Sequence, residues 1–417
     1  MNPSREVVVT GLGVVSPLGL GHEKFWQSLL DGQSGVRVRE HFEETDLPYR
    51  TAAPVENFEA KRFIKPRKAI KIMCGPIQFG CAAAAMAVEH SGLDPENTDS
   101  DRIGTVFGTE TFFADPTEVA DVFQKCTVDQ DYQHDRWGEF AMREIQPLWM
   151  LKYLPNMAAS HISIALDARG PSNSICQGEA SGLLALIEAA DLIRRNAADV
   201  VLTGGTGSQM TIMAVLYRGA NLLSKRIMEP ELASRPFDVN RDGMVVGEGA
   251  GAIVLESAEH AKARGATPLA TVAGWARSFQ DPSRPEFCDA LMGNYESALK
   301  IAGKSANDIS LVNANAAGSV QGDLVEARAI EGVFGSQVPV VAHKSNFGNI
   351  GPGTSIIETI GAVLANQHAV CPPSLNCEST DPACNINVVT SKSTIGTNGI
   401  LKSSFSATGQ ISSIVLV

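Results

Sequence analysis

The stretch Gly170-Pro-Ser-Asn-Ser-Ile-Cys-Gln-Gly-Glu179-Ala-Ser-Gly182 runs straight into an apolar, helix-forming segment at 183–195. Turn-forming residues followed by such a run read as an elbow that leads into a helix. Glu179 falls at the helix start. There the positive end of the helix dipole favours a carboxylate, while burial disfavours its ionised form, and the two effects oppose each other. Cys176 lies three residues earlier. That shift along the elbow turns its thiol away from the Glu179 position and into the packed interior, so a buried structural cysteine is expected.

Outward from the elbow, strand-like runs ending in glycine-rich turns recur at 6–10, 102–108, 200–205, 252–257, 309–315, 338–343 and 411–417. Helical stretches lie between them, at 25–31, 80–91, 183–195, 322–333 and 354–367. This alternation predicts an α/β fold with helices covering sheets. Gly247-Glu-Gly-Ala-Gly-Ala-Ile-Val-Leu-Glu256 and Thr408-Gly-Gln-Ile-Ser-Ser-Ile-Val-Leu416 echo one another as a glycine turn feeding a strand. They suggest two duplicated halves, 1–255 and 256–417.

The chain has 417 residues, 44% hydrophobic and 19% charged, the composition of a soluble globular protein. Its longest apolar run, around 81–88, is far short of the roughly 18 residues that span a bilayer. The N-terminus reads as a strand, not a signal peptide, so a cytoplasmic location without membrane association is expected. Eight scattered cysteines imply reduced thiols rather than a disulfide framework. A net charge of −12 argues against nucleic-acid partners. One basic cluster interrupts that background: Lys61, Arg62, Lys65, Arg67, Lys68 and Lys71. It reads either as a solvated face or as a docking patch for an acidic partner. Gly11-Leu-Gly13 lacks the third glycine and downstream acid of a dinucleotide fingerprint, so no cofactor is read there, and no metal set is expected.

Two further frames complete the pattern, Val312-Asn-Ala-Asn315-Ala-Ala-Gly-Ser and Lys344-Ser-Asn-Phe-Gly-Asn349. With the elbow they resemble the three active-site segments of the β-ketoacyl synthases, condensing enzymes of fatty-acid and polyketide assembly. In that family the three positions carry Cys, His and His; here they are Glu179, Asn315 and Asn349. The resemblance covers almost the whole chain, including the start at 5–17, Ser234-Arg-Pro-Phe-Asp-Val-Asn-Arg-Asp-Gly243 and Gly247-Glu-Gly-Ala-Gly251. It implies a thiolase-like α/β fold with duplicated halves in a five-layer αβαβα arrangement.

The substitutions remove the chemistry. A thiolate is acidic and nucleophilic, whereas a carboxylate attacking a thioester gives a labile mixed anhydride. Asparagine donates a hydrogen bond, leaving a partial oxyanion hole as one option, but it carries neither proton nor positive charge. Lys344 and Glu358 match a lysine and glutamate that accompany the third segment, and are expected to persist as a buried structural ion pair; Asp323 and Glu326 fit a structural acid pattern. The pantetheine-contacting threonines of the family read Ala317 and Ser319, and its phenylalanine gate reads Ala407.

Gly138-Glu-Phe-Ala-Met-Arg-Glu-Ile-Gln-Pro-Leu-Trp149 resembles the interface helix of the chain-length factors, the ketosynthase-β subunits of type II polyketide synthases. The resemblance implies a disarmed subunit that pairs with an active ketosynthase-α. Gly138, Ala141 and Ile145 would line the partner's acyl tunnel, small residues leaving room for a long chain. An acyl carrier protein would dock at Lys65, Arg67, Lys68 and Lys71. The alternative reading is a malonyl-carrier-protein decarboxylase that supplies priming units.

Overall fold

The computed structural model describes residues 5–39 and 50–417. The strands that carry the topology are β1 (Val7–Ser16), β2 (Ile103–Gly108), β3 (Ser172–Ile175), β4 (Val200–Ser208), β5 (Val246–Ser257), β6 (Ala270–Phe279), β7 (Leu311–Asn313), β8 (Pro339–Val341), β9 (Ile400–Phe405) and β10 (Gln410–Leu416). Every residue of β1 is buried. A strand so evenly apolar must be covered on both faces, as in a layered α/β fold.

β1 stands at the middle of a large mixed sheet. To one side run β5 and β4, each antiparallel to its neighbour, then β2 and β3, each parallel. To the other side β1 pairs antiparallel with β6. From β6 the same series repeats: β10 and β9 antiparallel, then β7 and β8 parallel. The two arms therefore share one strand pattern.

The helices that matter below are α1 (Gly75–Ser91), α2 (Ala120–Cys126), α3 (Trp137–Glu144), α4 (Met157–Leu166), α5 (Ser181–Arg194), α6 (Phe287–Ala302), α7 (Val320–Phe334) and α8 (Pro352–His368). α8 is buried without interruption from Pro352 to Ala365 and touches strands of both arms, as α5 does. A helix apolar all round belongs between layers. α1 covers the outer face of the β1 arm, and α6 with α7 covers the outer face of the other. The result is a thiolase-like fold of helix, sheet, helix, sheet and helix.

Gly11 and Gly13 have a packing role here. A Cβ on Gly13 would lie 1.9 Å from the Ala83 carbonyl oxygen, and one on Gly11 2.2 Å from that of Ala87. They let α1 press against β1, which gives the glycine pair a packing reason to stand there. Among the described residues no helix is long and apolar enough to cross a membrane.

Candidate functional site

β3 ends at Ile175, and the chain turns through Gly178, whose φ of 60° lies in the left-handed region that favours glycine. The Ser181 hydroxyl ties the elbow, accepting from the Gln177 N–H at 2.7 Å and donating to the Gly178 carbonyl at 2.6 Å. One 3₁₀ turn, Gly178–Ala180, then leads into α5. Glu179 sits half-buried in that turn. It lines a cavity of about 460 Å³ together with Glu110, Phe113, Cys176, Gln177, Tyr217, Met244 and Ala407.

Asn315 is buried just beyond β7. Its backbone N–H donates to Glu326 Oε1 at 2.7 Å, and its side-chain Nδ2 donates to the Phe405 carbonyl at 3.4 Å. Its Oδ1 accepts from Lys344 Nζ at 3.3 Å and from the Ser404 hydroxyl at 3.5 Å. That same hydroxyl lies 3.4 Å from the Glu179 carbonyl oxygen. Asn349, 3% exposed, donates from Nδ2 to the Met244 thioether at 3.2 Å and accepts on Oδ1 from the Gly351 N–H and the Thr354 hydroxyl. Thioether sulfur is a weak acceptor. The structure thus brings Glu179 to the cavity wall and keeps both asparagines out of its lining, Asn349 reaching it only through Met244.

Lys344 and Glu358 form a buried ion pair, Nζ to Oε1 3.1 Å. The sequence reading missed its third member. Lys402 Nζ lies 2.8 Å from Glu358 Oε2, and all three side chains are at most 2% exposed. Two ammonium groups therefore share one carboxylate. Burial lowers the Lys402 pKa and raises that of Glu326, which accepts from Asn315 N–H and the Ser403 hydroxyl. Burial likewise raises Asp323, although it accepts from the N–H groups of Phe237, Ala317 and Gly318. Asp323 and Glu326 thus tie down the backbone around the Asn315 segment. Beside Lys344, the buried His343 is pushed down to about 4. A signal for Lys402 was in the sequence: a lysine following Ile400-Leu401 in an apolar strand has to meet a carboxylate when buried.

Cys176 corrects the expectation. Its thiol is exposed on the cavity wall, 3.2 Å from Thr109 Oγ1, not buried in the interior. It follows β3, the last strand of the main sheet, so no further strand lies beyond to bury what leaves its end. The segment around Gly138 departs too. The helix stops at Glu144; Ile145 is extended, and Pro147 cannot continue a helix. A separate 3₁₀ turn holds Trp149–Tyr153. Gly138 is exposed and Ala141 and Ile145 half-buried on this outlying lobe, and none of them lines the cavity. Lys65, Arg67, Lys68 and Lys71 are all exposed ahead of α1, with no carboxylate partner among the described residues.

The access features are rebuilt as fixed structure. Ser319 caps α7, accepting from the Gly322 N–H at 3.2 Å. The β9–β10 turn is laced by Ser406, Thr408 and Gln410: the two hydroxyls lie 2.9 Å apart and 2.8 and 2.7 Å from Gln410 Oε1.

Residues 4–261 match the family model described as Beta-ketoacyl synthase, N-terminal domain, and residues 269–378 match that described as Beta-ketoacyl synthase, C-terminal domain. Curated relatives named 3-oxoacyl-(acyl-carrier-protein) synthase 2 include one from Coxiella burnetii, 33% identical over 92% of this chain and 91% of its own length. Another, from Rhizobium meliloti, is 34% identical over 92% of each. A solved beta-ketoacyl synthase from Burkholderia phymatum superposes over 99% of both chains with a TM-score of 0.89 at 26% identity. Two further structures, each covering 99% of both chains, have TM-scores of 0.87. One is a type II PKS acyl-carrier protein in complex with its ketosynthase bound to the hexaketide, 28% identical; the other is the ishigamide ketosynthase/chain length factor, 27% identical.

Proposed function

Since the chain belongs to the beta-ketoacyl synthase family, we propose that it is a non-catalytic member, a chain-length factor of type II polyketide biosynthesis. In the cytoplasm it pairs with an intact ketosynthase-α, shapes that partner's acyl tunnel, and so sets product length. One observation carries the reading. At the three positions where the family's patterns hold Cys, His and His, this chain has Glu179, Asn315 and Asn349, which carry neither a thiol nor an imidazole. The curated relatives are named as synthases; these three residues are the grounds for separating this chain from them. Two of the structural relatives come from type II PKS or ketosynthase/chain length factor assemblies, which favours the same side.

The decarboxylase reading needs donors aimed at a developing enolate oxygen. Asn315 directs one N–H to Phe405 and Asn349 one to the weak acceptor Met244, and neither side chain supplies the proton or positive charge that an imidazole would. Lys344 and Glu358 keep a structural role. Gly138, Ala141 and Ile145 face the partner's tunnel, and Lys65, Arg67, Lys68 and Lys71 receive the acyl carrier protein. The repeated strand pattern supports two halves, but the expected division into 1–255 and 256–417 would cut β5, so the boundary is better placed between Ser257 and Ala270.

The test is Gly138→Trp. A Cβ at Gly138 would meet nothing within 4 Å in this chain and the position is exposed, so the substitution is expected to leave the fold intact, which circular dichroism checks, and to act across the interface. The complex with an active ketosynthase should then make a shorter polyketide; an unchanged product length refutes the tunnel role.

A further inference from the structure

A second cavity, of about 440 Å³, shares no residue with the one at the elbow. Its walls are α1, α4, which packs against α1, and the segment at 62–73 that leads into α1. Phe63, Ile64, Met73, Ala84, Ile162 and Leu166 give it an apolar interior. Cys81 joins them, and burial pushes its thiol up to about 12, so it stays protonated and brings no charge. Apolar walls with a few polar groups are the make-up of a small-molecule site. The volume is close to three times the roughly 150 Å³ of an apolar cavity that takes up benzene. An aliphatic chain of moderate length fits such a space.

The polar residues of the lining say what that chain carries. Arg62 and Lys65 are exposed and have no carboxylate partner among the described residues, whereas neighbouring Lys61 has Glu59 at 3.6 Å. The Arg62 guanidinium lies 5.9 Å over the Phe63 ring, which keeps a cation beside the apolar wall. One acid, Glu89, stands in the lining, and it is exposed. His161 also lines the groove, and its Nε2 is shielded from solvent with no partner among the described residues. Burial lowers its pKa, so at pH 7.5 the ring is neutral and offers a hydrogen bond rather than a charge. Two unpaired cations beside an apolar interior complement an amphiphile with an anionic head. A carboxylate accepts strong, charge-assisted hydrogen bonds from such groups, and the alkyl chain gains by leaving water.

We propose that this groove binds one medium-chain carboxylate, with its alkyl chain between α1 and α4 and its head held by Arg62 and Lys65. Neither a ketosynthase partner nor the elbow cavity is needed for such binding, although Lys65 also belongs to the patch assigned above to the carrier protein.

Isothermal titration calorimetry of the full chain with sodium decanoate at pH 7.5 and low salt tests it. One equivalent should bind saturably. Hexanoate, with a shorter chain to bury, should bind at least about tenfold more weakly. Decanol, which has the chain without the charge, should also bind at least about tenfold more weakly than decanoate. Arg62→Gln/Lys65→Gln, at exposed positions, should abolish the preference for decanoate over decanol. Ala85→Phe, on the groove wall, should weaken both ligands. Circular dichroism and thermal melting check that the variants fold, and the glutamine pair keeps the test decisive if Ala85→Phe does not. Absence of saturable decanoate binding, or equal affinity for decanoate and decanol, overturns the proposal. So does wild-type affinity for decanoate in either folded variant, which would place the ligand elsewhere. No partner, carrier protein or polyketide product enters this readout, so an unchanged product length with Gly138→Trp would remove the tunnel role and leave the groove standing.

Discussion

Glu358 is the common counter-ion of two buried ammonium groups, and that predicts an unusual pattern of mutant stabilities. Glu358→Gln leaves Lys344 and Lys402 without the carboxylate they both contact, the more distant Glu326 being the remaining acid near them, and breaking a buried pair in this way costs about 3–5 kcal/mol. Lys402→Met leaves the Lys344–Glu358 pair matched and loses contacts to the Ala314 and Ser403 carbonyls, a loss of about 1–2 kcal/mol. The double variant decides the matter. With Glu358 already neutral, removing Lys402 takes away an uncompensated charge, so Glu358→Gln/Lys402→Met should be more stable than Glu358→Gln alone. The assay is denaturant unfolding of the three variants and wild type at pH 7.5. A pH series adds a second readout. Burial lowers the folded Lys402 pKa below the unfolded value, so between the two the unfolded chain binds more protons and wild-type stability rises with pH. Lys402→Met should lose that alkaline gain. Strictly additive mutants, or a Lys402→Met cost equal to that of Glu358→Gln, would refute the shared counter-ion.

Glu179→Cys should place a thiol at the start of α5 that iodoacetamide labels, yet the isolated variant should release no carbon dioxide from malonyl carrier protein above background. Each absent oxyanion donor withholds about 10²–10³ in rate, and carbon dioxide release near that of an intact synthase would contradict the reading of Asn315 and Asn349. Cys176, the exposed cysteine, should be the first thiol alkylated in the folded protein, because burial pushes Cys74 and Cys384 up to about 11 and Cys81 and Cys371 to about 12. Peptide mapping that finds another cysteine modified first would contradict it. Glu256 is buried and held down to about 2 by Arg264, His260 and Thr10, against the cost of desolvation. Its folded pKa is depressed, so its contribution of about 3 kcal/mol is present above the unfolded value and is lost as pH falls from about 4.5 towards 2. Glu256→Gln should flatten the acid limb of the stability profile in that window, and an unchanged acid limb would rule this out.

Features set by nearby residues were legible from the chain alone. The elbow at Glu179 needs only Gly178 and the apolar run after it, and the strand–helix alternation needs only local periodicity. What escaped depends on partners far along the chain. Lys402 meets Glu358 only because β9 and α8 come together in the fold, and Cys176 is exposed because β3 ends the sheet. The helix at Gly138 was drawn too long because similarity to an interface segment outweighed Pro147, which local chemistry alone would have respected.

The replaced side chains did more than delete reactive atoms. Asn315 is held by Lys344, Ser404 and Phe405, and Asn349 by Met244, Gly351 and Thr354, while Ser406, Thr408 and Gln410 lace the turn above them. A ligand recruits a hydrogen-bonding group cheaply only when that group is otherwise bonded to water. Here it would have to break a protein bond first and leave its partner unpaired, at about 1–3 kcal/mol per buried group. Restoring a single histidine at Asn315 or Asn349 should therefore disturb an established network before it creates a donor. Recovery of condensing chemistry would need the surrounding partners changed as well, Met244 and the Ser406–Gln410 turn among them.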